Sequence, residues 1–366
     1  MLLLAAFVPW YIGIESYGIF AALFAAPSLF QSSFETFTIA IMTQHLRRDA
    51  MNSIILFFVI PSYFAFCVFF FLFLDIQHAI AISLMTLFLF TRSYAFAICI
   101  SAGSLTKKLI HSEGIVFLMY VFGILFSIGL DVRDEMLPII MVTSASAATT
   151  AFLIRASHTP VRVLRPLSGV TAPRLPLRLI IGASMGKLLE DGFLTFTPLL
   201  LAIVSTPTVA GQFRIFVSSV KAAYKLFPFR HEVVLRDVPR GRLGFKPLAT
   251  ASAIFALGSI FAAIGALFLL PAIGFSLEGI HWLLILFAGA GATVSSLALY
   301  PVSSALDRRV PSACLAVLLL TDAVVYWFGP VEFAVCFTVS IWLILAFTLN
   351  AIRQMATPNV PSPIRV

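Results

Sequence analysis

The chain has 366 residues, of which 60% are hydrophobic and 11% charged, and its mean hydropathy is +1.04. This composition excludes a water-soluble globular protein, and the apolar runs are too long and continuous for the alternating strands of a β-barrel. We therefore predict an all-α polytopic membrane protein, and the net charge of +8 is tested first as a signal of membrane topology.

The apolar runs predict about twelve transmembrane helices, because one span needs about 20 apolar residues. The first run is too short, since fourteen helical residues rise about 21 Å against a hydrocarbon core of about 30 Å. We expect either a start further upstream or an incomplete first span. The predicted spans lie at 1–14, 17–42, 51–74, 79–103, 114–130, 136–154, 179–202, 209–227, 247–270, 280–300, 312–328 and 333–350.

Positive charge is concentrated in alternate loops. Eighteen Lys and Arg residues lie in the loops at 43–50, 104–113, 155–178, 228–246 and 301–311 and in the tail from 351. The opposite loops hold Arg133 and seven acids. Because basic loops stay in the cytoplasm, both termini are predicted to be cytoplasmic, and the basic excess needs no nucleic acid. Aromatic residues typical of the membrane interface lie near the predicted outer ends: Trp10, Tyr11, Tyr17, Trp282, Tyr326 and Trp327.

The longest loop divides the chain into two similar halves. Four prolines exclude a continuous helix over 155–178, which we predict to be a cytoplasmic loop rich in Arg and Pro. It separates six-helix lobes at 1–154 and 179–352, and a disordered cytoplasmic tail follows at 353–366. The outer turns before the second and eighth spans share a glycine and a following aromatic residue, with Gly18 and Gly211 in corresponding places. This faint repeat fits two parallel lobes.

The second span carries a polar stripe at helical spacing, formed by Ser28, Gln31, Glu35 and Thr38. It is either a cavity wall, with Glu35 as a proton or cation site, or a hydrogen-bond network between helices. Arg92 lies near the middle of the fourth span. Two roles remain as alternatives for Arg92: an ion pair with Glu35 and a contact with the substrate.

The seventh span contains Lys187, Glu190 and Asp191, and the eleventh contains Asp322. The lysine can neutralise one acid of its own helix, which leaves the other free to bind a coupling ion. Asp322 lies mid-helix and is a further candidate for that role. A charge at bilayer depth costs about 2.5 to 3.5 kcal/mol, so these groups are expected to face the bundle interior or a watery cavity.

The eighth span carries Arg214, Ser218, Lys221 and Lys225 on one helical face, with no acid in the same span. Lys225 can extend to the cytoplasmic interface and Arg214 outward. Lys221 is too deep for either, so it pairs with Asp191 or Glu190, or it binds a phosphate. The stripe favours a cavity for a negatively charged substrate.

The sequence contains none of the motifs HExxH, GxSxG or a Walker loop, and the four cysteines form no CxxC pair. The cysteines all lie in apolar runs, where packing explains them. We therefore expect neither an enzyme nor a metal or other cofactor, apart from coupling to protons or sodium ions.

Two turns resemble those of a known transporter family. The segments YIGIESYGIF, and TPTVAGQFRIF continuing to LFPFRHE, resemble the polysaccharide transporter and O-antigen flippase family of the multidrug/oligosaccharidyl-lipid/polysaccharide exporter superfamily. A Gly-Glu-Tyr-Gly-like turn precedes the second span, and a Val-Gly-x-aromatic turn with an inserted Ala precedes the eighth. The residues that carry the resemblance are Gly13, Glu15, Tyr17 and Gly18, and Val209, Ala210, Gly211 and Phe213.

The resemblance implies a V-shaped bundle that works by alternating access, with a central cationic cavity lined by spans 1, 2, 7 and 8. It implies a flippase in the bacterial inner membrane that moves a polyprenyl-diphosphate-linked glycan to the outer leaflet. Other polysaccharide-assembly proteins are expected partners besides the lipid bilayer. The first span departs from the family, because it is short and lacks a basic residue.

In this hypothesis, basic residues of the spans contact the diphosphate and acidic residues bind the coupling ion. The substrate-binding candidates are Arg214, Lys221, Arg92 and Lys187; the coupling-ion candidates are Glu35, Glu190, Asp191 and Asp322. A drug or metabolite antiporter for cations is the main alternative, although its cavity should be acidic and the spans hold five basic groups against four acids. A membrane-embedded glycan-modifying enzyme is a third hypothesis.

Overall fold

The computed structural model describes residues 2–43, 59–101, 105–131, 133–156, 199, 201–203, 206–224 and 243–272. Within these ranges the regular structure is entirely α-helical, as predicted. The helices are α1 Leu2–Ile12, α2 Ile14–Thr43, α3 Ile60–Phe73, α4 Ile76–Ser101, α5 Leu105–Leu130, α6 Met136–Ala156, α7 Pro207–Tyr224 and α8 Phe245–Ala272.

The described helices establish a multi-pass membrane protein. Four of them, α4, α5, α6 and α8, contain segments long and apolar enough to cross a membrane. Their exposed side chains include many large apolar groups, such as Phe122 on α5 and Phe268 on α8, which suit a surface that faces lipid. The predicted spans at 280–300, 312–328 and 333–350 and nearly all of 179–202 lie outside the described residues. The total of twelve spans therefore stays a prediction.

One predicted loop is wrong. Residues 105–113, placed in the loop 104–113, form the first turns of α5. Lysine, leucine and glutamate favour helix, and neither Gly nor Pro occurs between Leu105 and Glu113 to end one. The charged residues of this segment predicted a loop. Lysine and glutamate are helix formers, however, so the helix extends beyond its apolar part.

A glycine separates the short first helix from the second. Gly13 has a φ of +89°, a conformation that glycine adopts without steric cost, and its N–H donates a 3.0 Å hydrogen bond to the carbonyl of Pro9. The 11 residues of α1 rise about 17 Å, so this helix alone is shorter than a hydrocarbon core. The 30 residues of α2 then rise about 45 Å.

Helix α2 is the central element of the described bundle. It packs along α4 on one side and along α7 on the other, so it joins the first six helices to the second half of the chain. Helix α6 packs against α4 and α5, and α8 packs against α7. Small residues allow close approach at the centre, where Ala21 and Ala25 of α2 are fully buried.

We call one end of the bundle the acidic end. It comprises the turns α1–α2, α3–α4 and α5–α6, which carry Glu15, Asp75, Asp131, Asp134 and Glu135. Two contacts join these turns: the Tyr11 hydroxyl donates a 2.8 Å hydrogen bond to the carbonyl of Ser127, and His78 lies beside Glu135. These are the turns that the charge pattern assigns to the outer side.

Short polar side chains begin three helices at the acidic end. Asp75 accepts a hydrogen bond from the backbone N–H of Gln77, and Asp134 accepts one from that of Met136, each at 3.1 Å. The Thr206 hydroxyl accepts a 3.3 Å hydrogen bond from the backbone N–H of Val209. Pro207 follows Thr206 as the first residue of α7. These are standard N-terminal caps, and they fix where α4, α6 and α7 begin.

Candidate functional site

Helices α2 and α7 cross at two glycines. A Cβ atom on Gly18 would lie 1.7 Å from the backbone oxygen of Pro207, and one on Gly211 would lie 2.5 Å from the backbone oxygen of Ile14. The two backbones therefore touch, and only glycine fits at either position. The two residues of the faint sequence repeat meet each other at the acidic end of the bundle.

This crossing places Arg214 against α2. Arg214 follows Gly211 by three residues and so lies on the same face of α7. Its guanidinium carbon is 4.9 Å from the centroid of the Phe24 ring, within the range of a cation–π contact. The side chain is partly buried.

Tyr17 provides the second contact of α2 with this arginine. Its hydroxyl is hydrogen-bonded to the side chains of both Arg214 and Ser218. Arg214 and Ser218 were predicted to share one face of the span, and the structure confirms this. Tyr17, predicted as an interfacial anchor, is instead only 5% exposed and faces α7. We call Tyr17, Phe24, Arg214 and Ser218 the Arg214 site.

Helices α4 and α5 bring further charges to the same region. The Tyr120 hydroxyl of α5 lies within electrostatic reach of Arg92, Glu113, Tyr17 and Arg214. Two of the four predicted substrate-binding residues, Arg92 and Arg214, therefore lie within electrostatic range of the same partly buried tyrosine, although they are far apart in sequence. Arg92 also lies over the Phe96 ring, with its guanidinium carbon 5.9 Å from the ring centroid.

Glu113 was missed because it was assigned to the loop 104–113. The run of helix formers ahead of it was the available signal, since it continues α5 backwards and carries Glu113 into the bundle. This carboxylate and Arg92 both lie within electrostatic range of Tyr120; the sequence offered Glu35 as one of two alternatives for Arg92, the other being the substrate. Glu35 belongs to α2, but its side chain lies outside the described part of the structure.

The polar stripe of α2 forms a contact between helices at Gln31. Its amide donates a 2.8 Å hydrogen bond to the Ser93 hydroxyl of α4. This supports the packing interpretation of the stripe at that position. Lys221 belongs to α7, and its side chain lies outside the described part. Four predicted site residues lie wholly outside the described residues: Lys187, Glu190, Asp191 and Asp322.

A separate polar cluster at the acidic end connects two turns. The His78 ring contacts Asp75 through Nδ1, and its Nε2 is 3.3 Å from Glu135 Oε1. Partial desolvation raises the pKa of Asp75. Hydrogen bonds from the backbone and ring of His78, its charge and the Gln77 N–H outweigh that effect and hold the pKa below its usual value.

A second ion pair lies beside this cluster. Arg133 Nε donates a 2.7 Å hydrogen bond to Asp131 Oδ1, and the guanidinium lies 5.5 Å from the Tyr11 ring centroid. The hydrogen bond to Asp131 and its charge raise the pKa of Arg133. Both Arg133 and Asp131 are well exposed, so this pair belongs to the surface of the protein.

Among the described side chains, no group of three or more His, Cys, Asp or Glu residues is arranged to hold a metal ion. The expectation of a site without metal or other cofactor stays a prediction for the whole chain.

No protein-family profile and no curated protein matches the chain. It is similar to a solved structure described as lipid II flippase MurJ in an inward closed conformation, with a TM-score of 0.61 and 13% sequence identity. The match covers 96% of this chain and 87% of that one. At this identity the likeness concerns the fold, and the chain has the helical membrane fold of that flippase.

Proposed function

We propose that this protein is a flippase that moves a polyprenyl-diphosphate-linked glycan across the bacterial cytoplasmic membrane by alternating access. The observation that carries this proposal is the partly buried guanidinium of Arg214, which lies 4.9 Å from the Phe24 ring centroid at the contact between α2 and α7. The structural neighbour is described as a lipid II flippase, which supports a lipid-linked substrate.

The chemistry of arginine suits a diphosphate. A guanidinium presents parallel N–H donors that bind two phosphate oxygens at once, and such charge-assisted hydrogen bonds are about twice as strong as neutral ones. Keeping arginines inside a membrane protein costs free energy, which selects for groups with a function. We propose that Arg214 and Arg92, with Lys221 and Lys187, bind the diphosphate.

The location of Arg214 fits alternating access. It lies on α7, at the contact with α2 that joins the two halves of the described bundle. A substrate bound there touches both halves, so its binding free energy can favour one arrangement of the halves over another. We propose that the acidic end is the outer side and that both termini are cytoplasmic.

Charge near the site bears on the cation-antiporter alternative. The first turns of α5 add one acid, Glu113, but also two bases, Lys107 and Lys108, so the total charge depends on where each span is taken to end and does not separate the two hypotheses. Among the described side chains, however, two arginines and one glutamate, Arg92, Arg214 and Glu113, lie within electrostatic range of Tyr120. That local excess of positive charge favours an anionic substrate. Glu113 joins Glu35, Glu190, Asp191 and Asp322 as a proposed site for a coupling proton or sodium ion.

The test is complementation of a strain that lacks the gene. We expect deletion to leave a lipid-linked oligosaccharide in the inner leaflet and to remove surface glycan, and we expect the natural protein to restore it. Arg214→Gln should fail to restore it at normal expression, because the amide carries no charge for the diphosphate. Arg133→Gln is the matched control and should restore it, since Arg133 lies exposed at the acidic end.

Three other outcomes would contradict the proposal. Full activity of Arg214→Gln would exclude Arg214 from the anion site. Increased drug susceptibility with normal surface glycan would favour the cation antiporter. Altered glycan structure with unaltered export would favour a glycan-modifying enzyme.

A further inference from the structure

We propose that Tyr17 and Phe24 are positioning residues that hold the Arg214 guanidinium in the orientation in which it binds an anionic group. The inference rests on the proposed function, because it concerns the same arginine. Tyr17 and Phe24 are seven residues apart and share one face of α2, and both contact Arg214 on α7.

The two contacts constrain different motions of the guanidinium. The guanidinium carbon lies over the Phe24 ring, 4.9 Å from its centroid, so the ring limits movement of the group towards α2. The hydrogen bond to the Tyr17 hydroxyl limits rotation of the group over that ring. Since a guanidinium carries several N–H donors, contact with one ring and one hydroxyl leaves donors that can bind an anion.

The rings of α2 are themselves held in place. Phe20 lies between the two positioning residues, with ring centroids 5.8 Å from Tyr17 and 5.6 Å from Phe24. Tyr17 and Phe20 are buried, and the Tyr17 hydroxyl is also bonded to Ser218. The crossing of Gly18 with Gly211 fixes the spacing of the two helices next to this row.

Positioning should increase affinity for the anion. A long arginine side chain loses rotamer freedom when it binds a ligand, and a side chain that is already ordered loses less. Arg214 is ordered by contacts with the opposite helix before any ligand arrives. Removal of those contacts should therefore weaken anion binding while the charge itself remains.

The experiment measures binding of farnesyl diphosphate to the purified full-length chain in detergent, with farnesol as the uncharged probe. Phe24→Leu should weaken farnesyl diphosphate binding roughly two- to thirty-fold, the range of a cation–π contact. Phe24→Tyr, which keeps a ring, should restore wild-type affinity. Tyr17→Phe should weaken binding about five-fold through loss of one hydrogen bond. Farnesol binding should be the same in all variants.

Phe30→Leu is the matched control. Phe30 is a buried ring of the same helix, but it packs against Tyr63, Phe66 and Phe90. Its replacement should lower thermal stability without changing affinity for farnesyl diphosphate. If Phe24→Leu behaved in the same way as Phe30→Leu, Phe24 would have a structural role only, and the inference would be overturned.

Arg214→Gln separates this inference from the proposed function. If Arg214→Gln bound farnesyl diphosphate as tightly as the natural protein, the anion site itself would be wrong. If Arg214→Gln abolished binding while Phe24→Leu and Tyr17→Phe kept wild-type affinity, the proposed site would stand and the positioning role would fail. Tyr17→Phe changes one oxygen atom, so it keeps the test valid if Phe24→Leu does not fold.

Discussion

The two sides of α2 make contacts of different kinds. Towards α3 and α4, the Phe30 ring lies 5.1 Å from Phe66 and 6.3 Å from both Tyr63 and Phe90, centroid to centroid. Towards α7, backbone touches backbone at Gly18 and Gly211, and a charged side chain follows. Interlocked rings make a contact that is costly to separate, whereas a glycine crossing exposes little side-chain surface when it opens. If the proposed alternating access operates, we therefore expect α2 to stay with α3 and α4 when the two halves move apart.

Phe30→Ala tests the fixed side of the comparison and should have the largest effect on stability. Loss of a buried ring leaves a cavity and removes its packing contacts, which remain favourable inside a bilayer, so we expect a loss of about 3 kcal/mol in the free energy of unfolding. Denaturant unfolding of the protein in micelles would measure it. Phe64→Ala is the control, because Phe64 on α3 is 63% exposed. Equal stability of the two variants would remove the distinction between the two sides of α2.

Gly18→Ala and Gly211→Ala test the other side of α2. The added methyl groups cannot fit beside the backbones of Pro207 and Ile14, so the helices must separate at a cost of about 1 to 3 kcal/mol. We expect α2 to move away from α7 while the ring cluster on α3 and α4 stays intact. A cysteine in place of Ala21, which is fully buried, should then react with a membrane-impermeant maleimide in a background without the four natural cysteines.

Gly258→Ala is the matched control for these glycine variants. Gly258 lies within α8, and a Cβ there would meet nothing within 4 Å. The labelling of the residue-21 cysteine should therefore stay at the wild-type level. Unchanged labelling in Gly18→Ala and Gly211→Ala as well would show that the crossing does not control access to α2.

The helices of the described ranges could be predicted well from the sequence, because membrane spans are set locally by continuous apolar runs. The span predicted at 136–154 is the helix Met136–Ala156, and that at 247–270 is Phe245–Ala272. The prediction failed at the start of α5, where Lys107, Lys108 and Glu113 interrupt the apolar run without ending the helix. Hydropathy predicts which residues lie within the membrane, whereas a helix can continue beyond the membrane surface.

The candidate site could be predicted only in part. Helical spacing correctly placed Arg214 and Ser218 on one face, since that depends on a single helix. Their partners on α2 could not be found in this way, because Phe24 is one of 37 phenylalanines and nothing local distinguishes it. Gly18 and Gly211 were noticed as a repeat, but their contact depends on how two distant helices pack.

Asp75→Asn should have the smallest effect, because it alters an exposed cluster that joins α4 to α6 and lies away from α7. Since the folded-state pKa of Asp75 is lowered, its carboxylate stabilises the fold above the ordinary aspartate pKa of about 3.9, and this contribution is lost as the pH falls through the lowered value. The melting temperature of Asp75→Asn should therefore be slightly below that of the natural protein at pH 7, and the difference should shrink towards pH 3. Asp131→Asn is the control at the neighbouring exposed pair and should leave the α4–α6 cluster unchanged. The melting temperature of Asp75→Asn could instead lie equally far below that of the natural protein at pH 7 and at pH 3. Hydrogen-bond geometry, and not the charge of Asp75, would then stabilise the α4–α6 cluster.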